Sequence, residues 1–126
     1  KINAYAYFIC GKFLLFVPEQ DAQKARANAK KAYNRLKIAS DDFAKTSKQV
    51  FYTLDAWQYL GLAAMLMGDF DRAETHFKQV LSRDNRTAAA WYNLGIIYEY
   101  KGLEVEAMRA FDRYLRLKGS SEDLDY

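Results

Sequence analysis

Thr53-Leu-Asp-Ala-Trp-Gln-Tyr-Leu-Gly61 and Thr87-Ala-Ala-Ala-Trp-Tyr-Asn-Leu-Gly95 are the stretches on which the fold turns. One constant shift superposes Thr53 on Thr87, Ala56 on Ala90, Trp57 on Trp91, Leu60 on Leu94 and Gly61 on Gly95. The register continues with Gly68 on Gly102, Ala73 on Ala107, Phe77 on Phe111 and Leu81 on Leu115. Both tryptophans and four of the six glycines take part, so chance is a poor explanation. A period of this length marks units that cannot bury an apolar face alone and must stack on their neighbours.

Each period reads as two helices joined by a turn. Trp57, Leu60, Gly61 and Ala64 recur at three and four and form one apolar stripe; Ala73, Phe77, Val80 and Leu81 form the next. Gly68 suits the left-handed conformation that ends a helix, and Asp69 can cap the one that follows. Thr53 and Thr87 stand where N-caps of the first helices are expected. Gly61 in mid-helix costs up to about 1 kcal/mol against alanine. Its repetition at Gly95 points to a close approach of the paired helix, with small Ala73 opposite and Phe77 beside the contact. Ala107 and Phe111 repeat the arrangement for Gly95.

Trp, Leu-Gly, Ala and Phe at these offsets, with a period of about 34 residues, resemble the tetratricopeptide repeat (TPR) family over residues 53–118. Tyr98 matches the family's tyrosine three residues after Leu-Gly, whereas Ala64 does not. Asn85 and Gly119 stand where the family carries a proline, which loosens the turn between repeats and leaves the core pattern whole. The resemblance implies an all-α fold of antiparallel helix pairs stacked as a right-handed superhelix with a concave binding face.

Residues 1–48 are read from periodicity. Tyr5, Phe8, Ile9, Phe13 and Phe16 allow a helix from about residue 2 to 17, with a strand pair as the alternative. Pro18-Glu-Gln-Asp starts a second helix, along which Ala22, Ala25, Ala29, Ala32, Tyr33 and Leu36 recur at three and four. Residues 2–38 thus form a degenerate helix pair. Ser40-Asp41-Asp42 reads as a helix restart, 40–52 as a connector or short helix, 54–87 and 88–118 as repeats, and 119–126 as an acidic tail.

Composition bounds the rest. A chain of 126 residues has room for one domain. A single cysteine, Cys10, excludes an intrachain disulfide framework, and no apolar run is long enough to span a bilayer. Residues 1–48 carry ten basic and four acidic side chains, and the remainder nine and twelve. The excess concentrates in Lys24, Arg26, Lys30, Lys31, Arg35 and Lys37, read as a solvated helix face; nucleic acid is not the expected partner.

Catalytic patterns are absent from the sequence: no Walker loop, dinucleotide fingerprint, nucleophile elbow or paired metal-binding histidines. His76 is the sole histidine and reads as a surface or partly packed side chain; Cys10 reads as a buried, inert thiol. Asp69 with Asp71, and Glu104 with Glu106, fall at helix starts, where capping and the helix dipole explain them. No enzyme, cofactor or metal is expected.

What the resemblance implies is a groove. Its expected lining is Asp55, Gln58, Leu62, Met65 and Leu66 from one first helix, and Ala89, Tyr92, Asn93, Ile96, Glu99 and Tyr100 from the next. This suits a peptide or amphipathic helix of a protein partner. Asn93 matches a position used by members that clamp the acidic tails of chaperones, but Gln58 and Leu62 replace the lysine and asparagine such a clamp needs. Ala4 to Phe8 and Pro18 to Asp42 are also similar to periplasmic T-components of TRAP transporters, which gives a transporter-associated partner-binding protein as the second reading. Tyr114, Leu115 and Leu117 would lie on an uncovered last face, so self-association or a continuation of the chain is expected. The start at Lys1 fits a fragment or a mature form, and cytoplasm and bacterial periplasm are both open.

Trp57→Ala and Trp91→Ala are each expected to cost about 3–5 kcal/mol, as emptied aromatic sites between helices do. Equilibrium denaturation measures this, and losses below about 1 kcal/mol at both sites would contradict the repeat assignment.

Overall fold

In the computed structural model, residues 3–16, 18–45 and 50–119 are described. Six helices follow in order: α1 (Ala4–Phe16), α2 (Ala22–Phe43), α3 (Val50–Leu66), α4 (Phe70–Arg83), α5 (Ala88–Tyr100) and α6 (Glu104–Lys118). There is no strand among the described residues, so the helical reading of 2–17 holds for 4–16. The chain divides into two compact units, residues 1–76 and 77–126, with the division inside α4. The acidic tail beyond Gly119 lies outside the described residues.

Local chemistry accounts for most helix ends. Asn3 opens α1, its side chain accepting from the Tyr5 amide at 2.7 Å. Pro18-Glu-Gln lies outside α2, contrary to expectation. Asp21 is the N-cap, its carboxylate accepting from the amides of Gln23 and Lys24 and satisfying two otherwise orphaned donors. Gly68 and Gly102 have φ of +80° and +76°. Around them Asp69 and Leu103 donate back to the carbonyls of Ala64 and Tyr98, and the glycine amides donate to Met65 and Glu99. These paired bonds close the first helix of each repeat in the same way. Asp69 then accepts from the Arg72 amide at 3.1 Å, as its capping role requires.

Two boundaries differ from the sequence reading, and both for the sake of the core. Helix α2 does not stop near residue 38 and restart at Ser40. It runs on to Phe43, which is fully buried, while Ser40 is buried with its hydroxyl donating to the Lys37 carbonyl. Thr53 is not an N-cap, because α3 begins a turn earlier and Thr53 is buried within it. Tyr52, in that first turn, packs on Phe43 and on Tyr5 and Phe8 of α1 at centroid distances of 5.0–6.1 Å. Burial of Phe43 and Phe8, with the partly exposed Tyr52 ring packed against them, outweighs the local turn signals. Thr87 does stand at the N-cap of α5, but its hydroxyl donates to the Asp84 carbonyl instead of accepting from the helix.

The expected close approach of paired helices is present in the second unit. A Cβ on Gly95 would meet the Phe111 ring, at 2.6 Å from Cδ1 and 2.7 Å from Cζ, and Ala107 is fully buried. Helices α1 and α2 pack with the same device: a Cβ on Gly11 would lie 2.7 Å from Leu36 Cγ and 3.2 Å from the Ala32 carbonyl. Ala32 and Leu36 have no exposed surface. The tryptophans are only half-buried. The Trp91 indole N–H donates to the Asn85 carbonyl at 2.9 Å, and the Arg113 guanidinium covers its ring at 5.3 Å. Half burial moves the cost of each Trp→Ala change to the lower end of the expected range.

Gly95→Ala is expected to destabilise by about 1–3 kcal/mol, since the added methyl displaces an aromatic ring from a packed site. Adding Phe111→Leu should recover part of that loss, so a double-mutant cycle by urea denaturation that returned simple additivity would refute the contact.

Candidate functional site

Two helices build the candidate surface of the first unit. Along α1, Ile9, Phe13 and Phe16 follow at four and three and are each about two-thirds exposed, so the helix presents an apolar stripe to solvent. With Lys12 and Pro18 they line an open depression of about 360 Å³. Cys10 lies on this side too and is exposed, not buried as its apolar surroundings suggested. The opposite side of α1 buries Phe8 and Gly11, which fixes the stripe outward.

Helix α3 meets this stripe through Tyr59. The Lys12 ammonium sits 5.1 Å from the Phe8 ring centroid and 4.9 Å from that of Tyr59, held by the negative faces of both rings. Phe16 meets Tyr59 edge to face at 5.9 Å. Asp55, one turn before Tyr59, is half-buried. Burial pushes its carboxyl above the usual aspartate range, and the charge of Lys12 opposes the shift. The Lys12 ammonium, the Asp55 carboxyl and the Tyr59 ring thus lie beside the apolar stripe. Lys12, Tyr59 and the α1 stripe were missing from the expected lining, although the spacing of Asp55 and Tyr59 at i and i+4 was available as a signal.

The remaining expected residues are distributed as follows. Gln58, Leu62 and Met65 are half-buried on α3. Leu66 is 55% exposed but borders a separate depression of about 180 Å³ with Leu14, Leu15, Glu19, Ala25, Asn28 and Ala29. In the second unit Asn93 and Ile96 are half-buried, and Ala89, Glu99 and Tyr100 are exposed. Tyr92 is 44% exposed, yet its ring packs on Tyr114 and Phe111 at 5.0 and 5.9 Å. It is therefore both a surface and a packing residue, which the sequence reading had not separated.

His76 is buried, against expectation. Its Nε2 shares a 2.7 Å hydrogen bond with the Tyr33 hydroxyl, itself buried. Burial raises the Tyr33 phenol above its ordinary pKa, offset in part by Arg72, whose guanidinium lies 5.2 Å over the ring. The histidine is engaged in packing. Among the described residues no group of three His, Cys, Asp or Glu side chains could hold a metal ion, and no helix is long and apolar enough to cross a membrane.

A family model of the tetratricopeptide repeat matches residues 59–122. Twenty-two solved chains resemble this one, among them the crystal structure of MamA, with a TM-score of 0.55, 22% identity, and coverage of 98% of this chain and 82% of that one. No curated protein gives a significant match.

A carboxyl with a folded-state pKa above its unfolded value favours folding while protonated and loses that contribution as pH rises. Asp55→Asn is therefore expected to raise Tm at neutral pH, with the gain shrinking as pH falls through about 4. Thermal melts at both pH values test this, and a gain independent of pH would rule out the buried carboxyl as its cause.

Proposed function

From the premise that this chain belongs to the tetratricopeptide repeat family, whose repeats serve protein interaction, we propose that it is a non-catalytic module or assembly scaffold binding an apolar peptide or amphipathic helix of a partner. The observation that carries the reading is the α1 stripe of Ile9, Phe13 and Phe16, exposed beside Lys12, Tyr59 and Asp55. Large apolar side chains in such an arrangement leave water favourably on binding, and bordering charges select the partner's orientation. The half-buried α5 residues Asn93 and Ile96, with exposed Tyr92 and Glu99, offer a second contact on the second unit; on α3, half-buried Gln58, Leu62 and Met65 and, at the separate depression, exposed Leu66 offer further contacts. Nothing in the comparisons favours the transporter-associated reading.

Phe13→Ala combined with Phe16→Ala is expected to weaken partner binding by at least about 2 kcal/mol, with only a small fall in Tm from loss of the Phe16–Tyr59 contact. Tyr92→Ala should weaken binding and also cost some stability through its contacts with Phe111 and Tyr114. Affinity capture with mass spectrometry, using wild type and the Phe13/Phe16 variant, identifies the partners lost; calorimetric titration of such a partner then gives the affinities. A Phe13/Phe16 variant that captured every partner of the wild type would overturn the assignment of this face.

A further inference from the structure

Helix α2 carries a second surface with a different chemistry. Between Asp21 and Asp41 there is no carboxylate, while six cations fall within this span. Buried Ala29, Leu36 and Phe43 fix which side of the helix faces inward. At 3.6 residues per turn the outward half then sorts into strips. Arg26, Lys30 and Lys37 run along one flank, and Lys24, Lys31 and Arg35 along the other. Gln23, Ala27, Asn34 and Ile38 lie between them, all exposed. Among the described residues Lys37 is the one of the six that holds a carboxylate, Asp41 at 2.7 Å. The cations span about 20 Å along the helix, at 1.5 Å per residue.

We propose that this face binds an acidic α-helix of a protein partner. Carboxylates on the two sides of that helix meet the two cationic rows, and its polar centre meets the side-chain amides of Gln23 and Asn34. The small side chain of Ala27 between the rows leaves room for a close approach, and Ile38 receives one apolar side chain at the end. Charge complementarity selects the occupant: two parallel positive rows on the flanks of one helix match a helix carrying acids on both flanks, one per turn. Protein is favoured over nucleic acid because the chain belongs to a protein-interaction family. The exposed arc of α2 also offers no aromatic ring on which a base could stack. Exposed ion pairs are individually weak, so binding rests on several acting together and falls with salt. This surface is separate from the α1 stripe and its test does not depend on that reading.

The probes are an alanine-based helical peptide of about 20 residues with glutamates on two flanks, long enough to be helical alone, and its glutamine counterpart. A duplex DNA of similar length is the third. Fluorescence anisotropy at about 50 mM salt, where the Debye length is still long, reads the affinities. The glutamate peptide should bind and the glutamine peptide should not. Lys30→Glu with Lys31→Glu, one residue from each row, should weaken binding at least about tenfold. Arg109→Glu with Lys118→Glu, an equal charge change on exposed α6 positions, should alter it less than about twofold. Circular dichroism checks that both variants keep their helices. Equal losses for the two double variants would overturn the proposal, as would equal binding of the two peptides. Tighter binding of the duplex, lost on reversal of Lys30 and Lys31, would reassign the face to nucleic acid.

Discussion

Paired helices in this protein approach each other at points where one of them has no side chain. Gly95 lies against the ring of Phe111, and Gly11 lies against Leu36 and the Ala32 carbonyl. A glycine in mid-helix forfeits up to about 1 kcal/mol of helix propensity. That loss is compensated by dispersion contacts over a large apolar side chain seated where a Cβ would be. The alanines beside these contacts, Ala32 and Ala107, are fully buried, and larger side chains there would hold the backbones apart. The first-unit pair α1–α2 and the second-unit pair α5–α6 share this constraint although their connections differ in length.

Other features of each unit follow from it. Each repeat also turns the chain from its first helix into its second. The positive φ at Gly68 and Gly102 and the backbone bonds around them accomplish that turn. Close pairing also leaves part of each helix unused. On α1 the inward side is taken by Phe8 and Gly11, and the side bearing Ile9, Phe13 and Phe16 remains in water. On α2 the inward side is apolar and the outward side cationic. The surfaces proposed for binding in the first unit are what remains after packing has taken what it needs.

Aromatic burial sets a second level of organisation. Tyr5, Phe8, Phe43 and Tyr52 converge from three helices. To deliver Phe43 and Tyr52 there, α2 extends past Ser40 and α3 starts before Thr53. Local capping signals are worth about 1 kcal/mol, whereas fully burying Phe43 is worth more; Tyr52 stays 38% exposed and contributes ring contacts with Phe43, Phe8 and Tyr5. Tyr33 and His76 are a polar counterpart, buried together because each satisfies the other.

The sequence alone determined the period, the helix pairs and the Gly95–Phe111 contact, because these depend on spacing along one chain. Repetition of Trp, Leu-Gly, Gly, Ala and Phe at one constant interval carries that information without any coordinates. Asp69 as a cap and Gly68 and Gly102 as helix ends were legible for the same reason: their roles involve neighbours within a few residues. Tertiary structure alone decided which apolar residues of α1 are core and which are surface. All of them are hydrophobic, so no contrast in the sequence marks Phe8 as buried and Phe13 as exposed. It likewise decided that Lys12 lies between Phe8 and Tyr59, that Asp55 is the carboxyl near it, and that His76 meets Tyr33 across 43 positions. Periodicity orients a helix about its own axis; only packing against other helices determines which neighbours its side chains meet.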